Sequence, residues 1–158
     1  MEIIHLTYPL SFSDHFRHSL AIGFFDGVHL GHQAVIRRAK EMAEQFHAVP
    51  AVLTFYPHPR TVLGKEKIEK YLTPLTQKLE MLKKLGMQRV FVLHFDFAFA
   101  ALNKEQFVRE VLLPLNTQAV VTGVNFTFGR RAEGKPKDLL QLGENRFQTE
   151  VVDPVFIE

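Results

Sequence analysis

The sequence predicts an α/β protein built on a doubly wound parallel sheet. Short apolar runs of strand length alternate with amphipathic helical segments along the whole chain. Residues 49–55 are apolar almost throughout, which is typical of a parallel strand covered on both faces. Three chemically suggestive segments, 23–32, 56–59 and 123–134, each follow a predicted strand. Because ligands of such sheets bind beyond the carboxyl ends of the strands, we expect these segments to converge on one site.

Composition limits the classes of protein that need to be considered. The chain has 158 residues, 46% hydrophobic and 23% charged, which suits one globular domain with a substantial core. It has no cysteine, and no apolar stretch of about 18 residues that would predict a membrane span. The first residues lack the basic start and apolar run of a signal peptide. A net charge of +2 is too small to indicate nucleic-acid binding. We therefore expect a cytoplasmic protein without membrane or nucleic-acid partners.

The predicted elements follow from periodicity and from the residues that end each segment. The predicted strands span 2–8, 20–24, 49–55, 89–95, 119–122 and 150–156. The predicted helices span 31–46, 76–85, 103–113 and 138–142, with a short helical turn at 96–102. Asn103 is expected to cap its helix together with Gln106. Residues 60–71 are predicted to form a loop or flap, His15 and His18 to be exposed, and His94 to lie in the core or at its edge.

The most informative stretch is Gly23-Phe24-Phe25-Asp26-Gly27-Val28-His29-Leu30-Gly31-His32, a turn from a strand into a helix. Its glycines permit a tight turn and a close approach to a ligand. The start of the helix offers unpaired N–H groups and a positive dipole end, which suit phosphate. The two histidines, three residues apart, lie on one side of the first turn and can donate to a polyphosphate. The alternatives are a purely structural turn and, less favoured without a third ligand, a zinc pair.

Two further segments carry candidate binding residues. His58 stands between Pro57 and Pro59 at a strand end, where it is either a substrate contact or part of a rigid loop. The segment 121–134 offers an amide at Asn125 and basic side chains at Arg130 and Arg131, which suit phosphate. It also contains Phe126 and Phe128, on one face, which could wall a flat ring; the alternative is a Gly-rich loop with two core phenylalanines.

In order and spacing, these motifs together resemble the prokaryotic bifunctional riboflavin kinase/FAD synthetase family. The His-x-Gly-His spacing at a helix start is the signature of the wider nucleotidylyltransferase superfamily. The resemblance spans essentially the whole chain and corresponds to the N-terminal FMN adenylyltransferase module. It implies a Rossmann-like nucleotidylyltransferase fold. It also implies transfer of AMP from ATP to FMN, which gives FAD and pyrophosphate, with Mg²⁺ as the cofactor.

The resemblance also implies roles for individual positions. The catalytic residues would be His29 and His32, which would contact the ATP phosphates. The ATP site would be completed by Gly23, Phe25, Asp26 and Gly31. The flavin site would comprise Pro57, His58, Pro59, Asn125, Phe126, Phe128 and Gly129. The residue at the position of Asn125 is Asp in many members of the family, and no metal-ligating residue is implied.

The family's module normally continues into a Ser/Thr-rich segment that ends in Arg and grips ATP phosphates, and then into a riboflavin kinase module. Neither motif is found in residues 1–158. We therefore expect this chain to be a truncated adenylyltransferase domain whose longer form also carries the kinase module. We expect the chain to bind FMN but to make FAD slowly or not at all, because its triphosphate site lacks a fixed cation. The alternatives are another small-molecule nucleotidylyltransferase of the same superfamily, and a non-catalytic flavin- or nucleotide-binding module.

Overall fold

A computed structural model describes residues 1–26, 30–57 and 74–153, with the backbone alone at 30 and 31. The strands are β1 (Glu2–Leu6), β2 (His18–Ile22), β3 (Val49–Tyr56), β4 (Arg89–His94), β5 (Thr117–Gly123) and β6 (Gln148–Val152). The helices are α1 (Leu30–Phe46), α2 (Leu75–Lys84), α3 (Phe97–Ala100), α4 (Lys104–Phe107) and α5 (Pro136–Leu142). Helix α4 continues as a π-helical segment, Val108–Leu112, and Arg130–Ala132 forms a 3₁₀ turn.

The six strands form one sheet in the order β1-β4-β3-β2-β5-β6, and every neighbouring pair is parallel. Successive strands from β2 to β4 move toward one edge, whereas β5 and β6 lie on the other side of β2. The order therefore reverses between β2 and β5. In doubly wound sheets the crevice at such a reversal, at the carboxyl ends of the strands, is where ligands bind.

Helices cover both faces of the sheet, so its central strands are apolar on both sides. On β4, for example, Val90 and Val92 face one apolar cluster, and Phe91 and Leu93 face the other. The first cluster packs against α1 and α2, and the second packs against α3, α4 and its π-helical extension, and α5. The predicted fold class, a doubly wound parallel sheet, is confirmed.

Local sequence signals account for several element boundaries. The predicted capping box of α4 is present: Asn103 Oδ1 accepts from the Gln106 backbone N–H at 2.8 Å, and Gln106 Oε1 accepts from the Asn103 N–H at 2.9 Å. Helices α1 and α2 begin one residue earlier than predicted. The π-helical end of α4 was not predicted, since periodicity of 3.6 residues does not distinguish it from α-helix. The loop predicted at 60–71 lies outside the described residues.

Two histidines are placed differently from the prediction. His18, expected to be exposed, is completely buried as the first residue of β2. Burial is possible because its Nδ1 lies 2.6 Å from the Leu115 carbonyl oxygen and its Nε2 lies 3.1 Å from Arg89 Nη1. His94, expected in the core or at its edge, is exposed where β4 ends.

Within the residues that the structure describes, no helix is both long enough and apolar enough to cross a membrane.

Candidate functional site

The turn that follows β2 is fixed by contacts to β3 at its beginning. The Gly23 N–H donates to the Leu53 carbonyl at 3.2 Å, and the Thr54 hydroxyl donates to the Phe24 carbonyl at 3.3 Å. A Cβ at Gly23 would lie 3.2 Å from Cζ of the Phe25 ring, which is closer than side chains normally approach. Glycine is therefore favoured at this position, because a larger residue would have to displace the Phe25 ring that folds back over it.

Phe25 connects this turn to the start of α1. Its φ of 55° lies in the left-handed region, and its ring is 3% exposed in the apolar cluster beneath α1. The same ring meets the imidazole of His32 edge-on, with centroids 5.5 Å apart and planes at 74°. His32 lies in the first turn of α1, next to Gly31. It is one of the two histidines predicted to be catalytic. His29, the other, lies outside the described residues.

Asp26, at the end of the described part of the turn, forms an ion pair with a lysine of α2. Lys78 Nζ lies 3.1 Å from Asp26 Oδ1, and the side chains are 5% and 23% exposed, respectively. Lys78 is not among the site residues predicted from the sequence. The available signal was its spacing: Lys78 lies three residues after Leu75 and four before Leu82, which places its ammonium group on the apolar face of α2.

The segment after β5 presents one exposed amide above a buried aromatic layer. Asn125 is exposed, whereas the rings of Phe126 and Phe128 are 8% and 6% exposed and stack with centroids 6.0 Å apart. The rings do share one side, as predicted. Their place in the core favours the alternative interpretation of these two residues as core phenylalanines, and their contact with a flavin stays a prediction.

The rest of this segment is anchored to α4. Phe128 and Gly134 exchange two backbone hydrogen bonds of 3.1 and 2.8 Å, which close the loop. Gly129 has a φ of +80°, and a Cβ there would lie 3.2 Å from the Lys104 backbone nitrogen, so both conformation and space require glycine.

Asp138, the third residue of α5, fastens the end of the same segment. Its carboxylate accepts from the Lys135 backbone N–H at 2.8 Å and pairs with Lys104 Nζ at 3.2 Å. The Lys135 N–H, and to a lesser extent the Lys104 cation, lower the pKa of Asp138, although burial opposes them. Asp138 is therefore held as an anion that links α5 to α4.

Two of the three predicted segments make direct contact. The ring of Phe24, which follows β2, has its centroid 6.5 Å from that of Phe126, which follows β5. The centroid of the Phe55 ring, near the end of β3, lies 5.4 Å from that of Phe24. Pro57 follows β3 directly, in a cis peptide bond with Tyr56. Its neighbours His58 and Pro59 lie outside the described residues. Because β3, β2 and β5 are neighbouring parallel strands, the described parts of all three segments begin at the same edge of the sheet, as expected from the sequence.

Comparison with known proteins agrees with this geometry. Residues 12–158 match the family model described as FAD synthetase. The chain belongs to the FAD synthetase family. It is 42% identical over 156 residues to a bifunctional riboflavin kinase/FMN adenylyltransferase of Listeria monocytogenes, with 97% of this chain and 50% of the relative aligned.

Two other relatives with the same name are also similar to this chain. The Bacillus subtilis protein is 42% identical, and the alignment covers 88% of this chain and 45% of that protein. The Escherichia coli K12 protein is 33% identical, and the alignment covers 85% of this chain and 43% of that protein. The chain thus spans about half the length of the curated relatives that it matches. A crystal structure described as a macrolide-efflux protein from Streptococcus pneumoniae superposes with a TM-score of 0.84, over 97% of this chain and 52% of that one. At 24% identity, this likeness supports the fold alone.

Proposed function

We propose that this chain is an FMN adenylyltransferase module, which transfers AMP from ATP to the phosphate of FMN. One structural observation supports the proposal in addition to family membership. At the reversal of strand order, β2 and β5 are adjacent and parallel, so the turn that leads to α1 and the segment that bears Asn125 both leave the sheet at its carboxyl edge. A phosphate-binding helix start and a second, separately anchored binding segment thus share one edge of the sheet. Such an arrangement suits a reaction that brings two anionic substrates together.

The reaction needs positioning and charge stabilisation more than covalent chemistry by the protein. A phosphate oxygen of FMN attacks the α-phosphorus of ATP, and the bond from that phosphorus to the oxygen bridging it to the β-phosphorus breaks. Pyrophosphate leaves with the electron pair of that bond. The attacking phosphate oxygen is already an anion, so no residue needs to remove a proton from it.

We assign the triphosphate to the start of α1. This 17-residue helix begins at the carboxyl edge of the sheet, and its first N–H groups and positive dipole end favour an anion there. In this proposal His32, together with His29, donates hydrogen bonds to phosphate oxygens as negative charge moves onto the leaving pyrophosphate. Gly23 and Phe25 act indirectly, since their close contact sets the path of the turn and supports the His32 ring.

We assign FMN to the side of the crevice formed after β3 and β5. Asn125 is exposed at the carboxyl end of β5 and can donate to a phosphate or read a polar ring edge. Gly129 and the buried rings of Phe126 and Phe128 fix the loop that carries Asn125. Pro57, His58 and Pro59 remain candidates for flavin contact on the β3 side.

We propose that Mg²⁺ enters with ATP. Among the described residues, no group of three or more His, Cys, Asp or Glu side chains could hold a metal ion. In nucleotide enzymes, magnesium is held mainly by substrate phosphates and water, with one or two carboxylates at most. When bound, it would offset phosphate charge. Asp26 is the carboxylate of the described turn, and it is already paired with Lys78.

The names of the relatives support one broader proposal. We propose that in a longer protein this module works beside a riboflavin kinase module, which would supply FMN, as the bifunctional names of the relatives indicate. A cytoplasmic location stays a prediction.

Formation of FAD under single-turnover conditions tests the proposed function. The chain, in excess over FMN, is mixed with ATP and Mg²⁺, and the flavins are separated by chromatography, so that even slow transfer is recorded. We expect FAD from FMN and none from riboflavin, which lacks the attacking phosphate. Binding of FMN without any FAD, both by this chain and by a longer form that carries the residues after 158, would favour the non-catalytic flavin-binding module. Faster reaction with CTP, or with phosphopantetheine in place of FMN, would favour another nucleotidylyltransferase of the superfamily.

A further inference from the structure

A buried lysine pairs with the turn that leads to the proposed phosphate site. The side chain of Lys78 is 5% exposed, and its Nζ lies 3.1 Å from Asp26 Oδ1. Lysine is rarely buried to this extent unless its charge is paired, because removing an ammonium group from water is costly. The position of Lys78 on the apolar face of α2 therefore depends on the Asp26 carboxylate.

The ion pair adds a polar link between α2 and the turn after β2, which also share an apolar cluster. Helix α2 is anchored by Leu82, which is 1% exposed in the same apolar cluster as Phe25. The turn after β2 is held at Phe24 by the Thr54 hydroxyl from β3. Asp26 lies two residues beyond Phe24 and four before the first residue of α1. Lys78 thus contacts the end of the described part of the turn, whereas Thr54 contacts its beginning.

The pair also affects the electrostatics of the helix start. A carboxylate four residues before α1 would repel a triphosphate bound at the start of that helix if its charge were not balanced. The Lys78 ammonium balances this charge from the protein side. Because Lys78 is nearly inaccessible to solvent and engaged with Asp26, it acts on the turn and not on the substrate.

We propose that Lys78 is a positioning residue for adenylyl transfer, which acts by holding Asp26 and hence the turn that aligns the start of α1 and His32. This proposal rests on the proposed function. In-line attack at the α-phosphorus is sensitive to alignment, and a misplacement of about 1 Å can slow a reaction by ~10²-fold. The pair therefore contributes to the rate of the chemical step more than to flavin affinity.

A double-mutant cycle tests this role. The variants are Asp26→Asn, which keeps the shape of the side chain, Lys78→Met, which keeps its length, and the two combined. We expect each single variant to form FAD about 10²-fold more slowly in single turnover, with an unchanged FMN dissociation constant. The double variant should be no slower than the slower single variant, because both changes break the same interaction. Lys84→Met, the same substitution at an exposed position of α2, should match the wild type.

Two results of the cycle would overturn the proposal: wild-type rates in both single variants, or losses that multiply to about 10⁴-fold in the double variant, which would mean independent roles. If Lys78→Met fails to fold, Asp26→Asn decides alone, since its side chain is partly exposed and isosteric.

Amide hydrogen exchange of a peptide covering residues 19–26 provides a measurement that is independent of activity. It should rise at least ~10-fold in Asp26→Asn and Lys78→Met, and not in Lys84→Met, as local opening becomes easier. Unchanged exchange in both pair variants would overturn the proposal. Absence of FAD from both the wild-type chain and a longer form that carries the residues after 158 would instead refute the proposed function, and exchange would still report whether the pair fixes the turn.

Discussion

Acidification should destabilise this protein through one buried histidine at the end of the sheet opposite the candidate site. His18 Nδ1 lies 2.6 Å from the Leu115 carbonyl oxygen, which can only accept, so Nδ1 carries the hydrogen. Nε2 therefore accepts from Arg89 Nη1 at 3.1 Å. A second proton would have to go on Nε2, where it would face the guanidinium group. The native structure thus requires the neutral imidazole.

The direction and size of the effect follow from linkage. Burial lowers the pKa of His18 below its ordinary value of 6.5, and the Arg89 cation lowers it further, whereas the Leu115 carbonyl and the carboxylates of Asp14 and Glu2 oppose them. On acidification the unfolded chain therefore binds this proton first. Stability is fully retained above pH 6.5 and is lost as the pH falls from there toward the folded pKa. The loss can reach about 1.4 kcal/mol for each pH unit in that window.

Urea unfolding at several pH values between 7.5 and 5 measures this loss. The informative variant is His18→Asn, whose amide can donate to the Leu115 carbonyl but does not titrate. We expect the free energy of unfolding to fall with pH in the wild type and to fall less steeply in the variant, by up to about 1.4 kcal/mol per pH unit. His15→Asn, at an exposed position, should keep the wild-type slope.

An unchanged pH slope in His18→Asn would refute this reasoning. Asp14 does not confuse the comparison. A hydrogen bond from the Phe16 backbone N–H and the nearby Arg89 cation lower the pKa of Asp14, despite the opposing effect of burial. Its contribution to stability is therefore lost only below its ordinary value of 3.8.

Three further predictions concern the site and the fold. His32→Ala should slow FAD formation by about 10²–10³-fold in single turnover while FMN affinity, measured by flavin fluorescence, barely changes; near wild-type rates would remove His32 from the phosphate site. Asn125→Ala should weaken FMN binding far more than ATP binding in calorimetry, because Asn125 follows β5 and the phosphate site follows β2; equal losses for both ligands would indicate misfolding instead. Asn103→Ala removes a capping box and should lower the free energy of unfolding by about 0.5–2 kcal/mol in urea titration, with no change in FAD formation; an unchanged free energy would show that the cap contributes nothing.

The sequence was sufficient for the fold because its strongest signals are local. Alternating apolar runs and helical periodicity predict the parallel sheet, and the pattern of Asn103 and Gln106 predicts a cap that the structure confirms. What periodicity could not predict is pairing between distant residues. His18 looked like an exposed loop histidine because its partners, Leu115 and Arg89, are 97 and 71 residues away.

The candidate site was predictable to a similar degree. Motif order placed the three segments at one edge of the sheet, and the contact between Phe24 and Phe126 bears this out. The ion pair between Lys78 and Asp26 was not predicted from the sequence. Lys78 belongs to a helix more than 50 residues beyond Asp26, and only the fold shows that they pair. The same applies to Phe126, whose sequence context allowed both a ligand wall and a core residue.

The central claim is that this chain moves the adenylyl group of ATP onto FMN, and the fate of each phosphorus tests it most directly. ATP labelled at the α-phosphorus and ATP labelled at the γ-phosphorus are incubated in parallel with the chain in excess over FMN, with Mg²⁺, and the products are separated. The account predicts that the α label appears in FAD and the γ label only in pyrophosphate. A flavin product that carries the γ label would contradict it, as would the absence of labelled flavin from both this chain and a longer form that carries the residues after 158, while FMN is bound.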